Sequence, residues 1–350
     1  MQDHRPIIVI LGASGFIGTS LVHLLARSPL RLRLVARRAT PLPPRPVADI
    51  EVRRADITDS SALAETLSGA TAVVHLVRHQ SETGSWRCSP DDPDGDRVNV
   101  GAVRNLLAAL ERSSSTPPPV CVLAGSVSQV GLHTGGPLTG AEPDRPTGAY
   151  GRQKMAAERL LLEHGERGLL RGVALRMPTV FGPAPVASAP DRGIVTTMVR
   201  RGLRGLPLTL WSDGSVVRDL LYIDDAARAL ASAITHADEL AGRHWLVGTG
   251  TSTSLSDLFT TISDLAFREG GRRSPVVSVE PPEHSDPHDF HSFPVDPSAF
   301  SSKSGWRAVT SLEDGLERTL RHVAAEDPQP DSGPLGRRRP PDGATPVPLG

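Results

Sequence analysis

The sequence predicts an α/β protein built on a doubly wound, mostly parallel sheet, and three observations predict it. Short runs that are apolar throughout recur along the first half of the chain. Such runs read as strands buried on both faces, the condition of a parallel sheet covered by helices. Segments with helical spacing separate them. A glycine-rich turn joins the first strand to the first helix.

Ile7–Leu11 is the first such strand. Gly12–Gly18 makes the turn, and Phe16–Arg27 follows with Leu21, Leu24 and Leu25 on one helical side. Arg31–Ala36 is a second strand, and Pro41–Pro46 is a surface loop. Further strands are expected at Ile50–Arg53, Ala72–Leu76, Val120–Ala124 and Val173–Arg176, with helices at Ser60–Leu67, Val98–Glu111 and Ala149–Glu163. His79–Asp96 holds Gly, Ser, Pro and Asp with little periodicity and reads as a loop flanking a site. Beyond Pro178 the pattern loosens. Helices are expected at Ile194–Arg204, Asp224–Thr235, Leu255–Phe267 and Leu312–Ala324, and short strands at Leu208–Trp211 and Val276–Val279. Residues 1–177 are therefore expected to form mainly the sheet domain. Residues 178–325 are expected to form mainly a smaller lobe, with some segments returning to the sheet. Residues 326–350, rich in Pro and Gly, are expected to be a disordered tail.

Composition narrows the function classes. The formal net charge of the 350 residues is -1, so no whole-chain field favours nucleic acid or an anionic membrane. The Arg337–Arg339 cluster reads as a solvated feature of the tail. No stretch approaches the roughly 18–20 apolar residues of a membrane span. The N-terminus lacks the pattern of a secretion signal. Cys88 and Cys121, the only cysteines, are too few for a disulfide framework or a thiolate metal site. A soluble enzyme of the reducing cytoplasm, with no metal, is expected.

Gly12-Ala13-Ser14-Gly15-Phe16-Ile17-Gly18 is a GxxGxxG turn between a strand and a helix. Glycines let the backbone bend tightly and approach a pyrophosphate, and the helix N-terminus offers unpaired N–H groups to the phosphates. At the first strand-to-helix junction of an alternating chain, the turn predicts a dinucleotide site. Arg37 and Arg38 stand where the second strand ends. An acid there would bond the adenosine ribose hydroxyls of NAD, whereas arginine suits the 2′-phosphate of NADP. NADPH is therefore expected. The competing reading is a solvated basic loop in an arginine-rich chain. Asp56, followed by Ile57 after the third strand, can bond the adenine amino group. Leu76 and Val77 are expected to pass under the cofactor, and Asn99 to position backbone near the active site.

Lys154 is one of two lysines and Tyr150 one of two tyrosines, and they stand four apart in a predicted helix. That spacing puts both on one face, with Cβ atoms about 5–6 Å apart. A phenol titrates near pH ~10. A neighbouring ammonium favours the phenolate and brings the phenol towards useful acid–base chemistry. Ser126 ends the fifth strand, where ligands collect in this architecture, and its hydroxyl can polarise a carbonyl. Ser128 is a rival for that role.

The segments GASGFIG, ADITD, Ser126, YGRQK, RMPTVFGP and RDLLYIDD resemble, in this order, the extended short-chain dehydrogenase/reductase family over residues 7 to 325. Within it, LRLVARR, AGSVSQVG, EPDRPTGAYGRQK and WSDGSVVRDLLYIDDAARA look most like NDP-4-keto-6-deoxyhexose 4-ketoreductases of deoxysugar and antibiotic pathways. The resemblance implies a Rossmann sheet with a substrate-binding C-terminal lobe. It implies a catalytic trio of Ser126, Tyr150 and Lys154 and a phosphate turn at Gly12, Gly15 and Gly18. It extends cofactor contact to Ser14, Phe16, Ile17 and Pro178, and substrate contact to Thr179 and Arg218. Arg218 stands where relatives meet a nucleotide diphosphate; from the residues alone, a salt bridge to Asp219 or Asp224 is the alternative. By the same analogy the helices Val98–Glu111 and Ala149–Glu163 can pair across a homodimer.

Three departures qualify the resemblance. Val130-Gly131 stands where many relatives have Tyr-Gly. Thr179 stands where many have Asn. Val127 and Ser128 stand where 4,6-dehydratases carry an Asp-Glu pair, so water elimination has no acid and base to move its protons. The expected activity is NADPH-dependent reduction of the C4 ketone of a dTDP-linked 4-keto-6-deoxyhexose. The alternatives are an NAD-dependent sugar-nucleotide epimerase, a reductase of a non-sugar ketone, and a redox sensor that binds NADP without turnover.

Overall fold

The computed structural model describes residues 5–79, 93–112, 116–270, 272–281 and 287–326. In chain order it contains β1 (Ile7–Leu11), α1 (Phe16–Leu25), β2 (Arg31–Ala36), β3 (Asp49–Arg54), α2 (Ser60–Leu67), β4 (Ala72–His75), α3 (Pro93–Asp96), α4 (Ala102–Glu111), β5 (Val120–Ser126), α5 (Ala149–Glu166) and β6 (Arg171–Met177). There follow β7 (Thr179–Phe181), α6 (Ile194–Leu203), β8 (Leu208–Trp211), β9 (Val217–Tyr222), α7 (Ile223–Thr235), α8 (Ala237–Leu240), β10 (Arg243–Leu246), β11 (Ser252–Ser254), α9 (Leu255–Gly270), β12 (Val276–Val279), α10 (Ser298–Ser304) and α11 (Leu312–Glu326).

Seven strands form one sheet in the order β10-β6-β5-β4-β1-β2-β3, and every neighbouring pair is parallel. This is the doubly wound Rossmann order with one strand added beyond β6. Alternation explains the two layers. Along β1, Ile8 and Ile10 join a core with Leu21, Val22 and Leu25 of α1 and Ala226, Ala227 and Leu230 of α7. Val9 and Leu11 join the opposite core with Leu63 of α2, Leu106 and Leu107 of α4 and Ala157 and Leu161 of α5. Successive residues of a strand face opposite ways, so a strand sandwiched between helices must be apolar at both parities. Each fully buried Leu, Ile or Val contributes about 1.5–3 kcal/mol.

A further core joins β7, β8, β9, α6, α9 and α11 through residues such as Phe181, Val199, Leu220, Phe259 and Leu316. Phe16 and Ile17, at the start of α1, pack against it and tie it to the glycine turn. Around it lie a three-stranded sheet, β11-β9-β7, and the parallel pair β12-β8. β10 and α7 return to the main sheet.

Most expected elements are present with small shifts at their ends. Two differ in kind. The expected helix Val98–Glu111 opens with a π-helical turn over Arg97–Gly101, with α4 beginning at Ala102. The segment expected as a loop ends in the helical turn α3. Residues 80–92 of that loop, including Cys88, lie outside the described residues, as does the tail from 327 onward with Arg337–Arg339. Strands β7, β9, β10 and β11 were not expected.

Candidate active site

The glycine turn divides its work among three positions. Gly12 has φ +89°, a left-handed conformation that L side chains rarely adopt, and a Cβ there would meet Val77 and the carbonyl carbon of Leu76 at 3.1–3.3 Å. Leu76 donates its N–H to Leu11 O at 3.0 Å, which locks β4 beside the turn. A Cβ on Gly15 would meet only Gly12 O, at 3.2 Å, leaving its other side open. A Cβ on Gly18 would lie 2.2 Å from Gly12 O, so α1 can approach β1 only without one. Tight turn, open approach and close helix packing are what a dinucleotide pyrophosphate requires. Gly15 caps α1 without a side-chain hydrogen bond, and no acid lies in the first turn, so the positive helix end is left for an anion. Ser14 is half-buried within the turn.

At the end of β2, Arg37 and Arg38 are exposed. Arg54, at the end of β3, donates from Nε to Arg37 O at 2.9 Å and so fixes that strand end. Asp56 Oδ1 accepts from Thr58 N (2.9 Å) and Thr58 Oγ1 (2.8 Å). Burial raises its carboxyl pKa, but the Thr58 bonds and the nearby charges of Arg37 and Arg97 outweigh that and leave it below its ordinary value. Asp56 is therefore exposed and ionised beside Arg37, with Ile57 buried beneath it. Asn99, in the π-helical turn, is 3% exposed. Its Oδ1 accepts from His79 N at 2.7 Å and its Nδ2 donates to Gln153 Oε1 at 2.7 Å. It thereby joins the loop after β4 to the helix that bears Tyr150.

Ser126, Tyr150 and Lys154 come together because α5 crosses the end of β5 at very short range. A Cβ on Gly151 would lie 2.8 Å from Ser128 O and 2.9 Å from Pro146 Cβ, so the residue after Tyr150 must be glycine for this approach. Lys154 is 5% exposed; its Nζ donates to Ala124 O at 2.9 Å and lies 5.8 Å from the Tyr150 ring centroid. Tyr150 is half-buried. Ser126 Oγ lies 2.9 Å from Ser128 Oγ and accepts from Ser128 N at 3.2 Å. Ser128 is 7% exposed and Ser126 is half-exposed, so Ser126 is the more accessible hydroxyl. His75, at the end of β4, is fully buried. Burial, and then the charge of Lys154, push its pKa down to about 3, so the imidazole is neutral and adds no second cation beside Lys154.

Thr179 opens β7 directly after Pro178, and both are half-buried. Arg218 does not make the alternative salt bridge to Asp219 or Asp224 among the described residues. Its guanidinium donates to the carbonyls of Asp289 (2.9 Å), His291 and Val217 (3.0 Å) and stacks on Phe293. Burial pulls its pKa down to about 10, still charged at neutral pH. The carboxylate of Asp219 is engaged instead by the N–H groups of Thr249 and Gly250.

The residue-level reading missed a buried polar network behind the trio. Arg176 of β6, 0% exposed, forks onto Asp144 through two bonds of 2.7 Å and onto Glu158 through bonds of 2.5 and 3.0 Å. Glu158 stands four residues after Lys154 and eight after Tyr150, on the same face of α5. That spacing, and a lone arginine inside an apolar strand, were the signals available.

A match to the NAD dependent epimerase/dehydratase family model spans residues 8–248. The chain belongs to that family. The extended short-chain dehydrogenase/reductase resemblance is thus borne out, and the enzymes of the family depend on a nicotinamide cofactor. The UDP-glucose 4-epimerase of Mycolicibacterium smegmatis is 28% identical over 323 residues, covering 89% of this chain and 96% of the relative. The dTDP-glucose 4,6-dehydratase of Streptomyces griseus is 26% identical, covering 89% and 92%. Among solved structures, the Thermus thermophilus UDP-glucose 4-epimerase in complex with NAD superposes with a TM-score of 0.75 at 25% identity, over 91% of this chain and 98% of that one. MoeE5 in complex with UDP-glucose and NAD gives 0.77 at 27% identity, over 93% and 100%. Among the described residues, no helix is long and apolar enough to cross a membrane.

Proposed function

We propose that this family member is an NADPH-dependent reductase of the C4 ketone of a nucleotide-linked 4-keto-6-deoxyhexose. The observation that carries the reading is the packing of the Tyr150–Lys154 face of α5 against the Ser126 turn, with Val127 and Ser128 where elimination would need an acid and a base. The dinucleotide would be held by Gly12, Ser14, Gly15, Phe16, Ile17 and Gly18 at the pyrophosphate and by Arg37 and Arg38 at a 2′-phosphate. Asp56, Ile57, Leu76, Val77, Asn99 and Pro178 would line the rest of its path. When bound, NADPH supplies the hydride that adds to C4.

The protein's own part is position and proton. Ser126 donates a hydrogen bond to the ketone oxygen. Tyr150 transfers its phenolic proton to that oxygen as the alkoxide develops, so ketone, hydride and proton balance to the alcohol. Lys154 offsets the charge left on the phenolate. Thr179 and Arg218 are the substrate-side residues, Arg218 supplying a cation for the diphosphate.

A second reading, a nucleotide-sugar 4-epimerase with retained NAD, is favoured by the UDP-glucose 4-epimerases among the relatives. One experiment separates them. Purified protein is given NADPH and dTDP-4-keto-6-deoxy-D-glucose, and the product is read by NMR. Stoichiometric NADPH oxidation is expected. Protein that arrives carrying NAD and converts UDP-glucose with no added cofactor would establish the epimerase instead. In the same assay Tyr150→Phe should lower kcat by about 10²–10⁴-fold with little change in NADPH affinity. Arg37→Asp should raise KM for NADPH and leave that for NADH nearly unchanged. A wild-type preference for NADH removes the arginine argument.

A further inference from the structure

We propose that Gln129 is a positioning residue for the Ser126 hydroxyl, coupling the end of β5 to the buried Glu158–Arg176 pair. The inference rests on the reading of Ser126 given above.

Ser126 is the last residue of its strand. Its N–H donates to Gln129 Oε1 at 3.0 Å, while Ser126 Oγ accepts from Ser128 N at 3.2 Å. The reciprocal pairing closes the turn Val127–Gln129 on itself as a capping box does. Gln129 is 0% exposed, so its other end also needs a partner. Its Nε2 donates to Glu158 Oε2 at 2.9 Å. The amide orientation follows from chemistry alone. Only an oxygen can face the Ser126 N–H, and only an NH₂ can face a carboxylate.

The groups around this amide come from five segments. Glu158 and Lys154 lie on α5, with Lys154 bound to Ala124 O. Arg176 is on β6 and Asp144 is in the loop before α5. His244 on β10 reaches Glu158 Oε1 at 3.4 Å through Nδ1 and Gly140 O at 2.9 Å through Nε2. Packing leaves the amide no slack. A Cβ on Gly125 would lie 3.0 Å from Gln129 Oε1 and 3.3 Å from Arg176 Cγ. Glu158 shares a helix face with Tyr150 and Lys154. A rigid line therefore runs from that helix through one amide to the backbone of Ser126. Hydroxyl and phenol are held in one frame by bonds neither makes to the other.

A glutamine is the one side chain of this length that accepts at one end and donates at the other without charge. Met keeps the volume and leaves the Ser126 N–H and the Glu158 oxygen unpaired. Glu can replace Gln only while it keeps a proton, shared with Glu158. As that proton is lost, two carboxylates face each other.

The test uses the full chain with NADPH and dTDP-4-keto-6-deoxy-D-glucose. Gln129→Met is expected to lower kcat by about tenfold to a hundredfold with the KM for NADPH unchanged, the scale of a small misplacement of a reacting group. Deuterium uptake at the Ser126 amide should rise in the same variant. In the Ser126→Ala background, Gln129→Met should cost nothing further, because its effect passes through that hydroxyl. The ratio of Gln129→Glu to wild-type kcat should fall as pH rises, whereas the Gln129→Met ratio should stay level. Gln129→Met at wild-type kcat overturns the proposal. So do losses that multiply fully with those of Ser126→Ala, or a Gln129→Glu ratio that is flat with pH. Ser126→Ala at wild-type turnover is a different failure: it removes the role of Ser126 itself.

Discussion

Replacing Glu158 by Gln is expected to destabilise the protein by about 3 kcal/mol near neutral pH, and two arguments agree on the size. Glu158 is 3% exposed and accepts from Arg176 twice and from Gln129 once. Removing the charge of one partner from a buried pair costs about 3–5 kcal/mol. Independently, burial alone would raise its pKa, but the bonds from His244 and Arg176 reverse that and bring it from 4.5 to about 2. A difference of that size favours the ionised folded form by about 3 kcal/mol. The folded value lies below the unfolded one. The contribution is therefore complete above pH 4.5 and disappears as pH falls towards about 2. For a chain of 350 residues the unfolding entropy is about 0.7 kcal/mol/K, so the Tm should drop by about 4 °C. Thermal unfolding of wild type and Glu158→Gln across a pH series measures both quantities. The gap should close on acidification. A variant within about 1 °C of wild type at neutral pH, or a gap that persists in acid, refutes the reasoning.

Gly18→Ala should abolish detectable NADPH binding by fluorescence titration, because its Cβ would lie 2.2 Å from Gly12 O and push α1 off the turn. Unchanged affinity would disconnect the turn from the cofactor. Cys121 is fully buried and its thiol is pushed up to about 12, so in a Cys88→Ser variant it should resist alkylation until the protein unfolds. Labelling that runs ahead of the loss of secondary structure would contradict that placement.

Six of the seven strands of the main sheet were legible in the sequence, because the central ones are apolar at both parities and the glycine turn marks where the first pair begins. β7, β9, β10 and β11 were not. Val217–Tyr222 places Arg218 and Asp219 among its apolar residues, and Arg243–Leu246 begins with Arg and His, so neither reads as a buried run. Their polar side chains are satisfied by segments far along the chain. Arg218 is bonded by carbonyls at 289 and 291, and Asp219 by N–H groups at 249 and 250. Tyr150 and Lys154 could be paired from spacing alone, since i and i+4 share a helix face. Arg218 could not be assigned, because the carbonyls of Asp289 and His291 that hold it lie about 70 residues away in sequence.

By itself, then, the sequence determined which central strands are sandwiched, where glycines let the first strand turn tightly into the first helix, and which phenol lies one turn from an ammonium. These are local or periodic properties. Only the tertiary structure decided that Gly151 lets that helix close on the Ser126 turn, and that Gln129 joins Ser126 to Glu158 and Arg176. A buried polar group shows in the sequence only as a residue of unexpected polarity. The partner that makes its burial tolerable is chosen when distant segments pack.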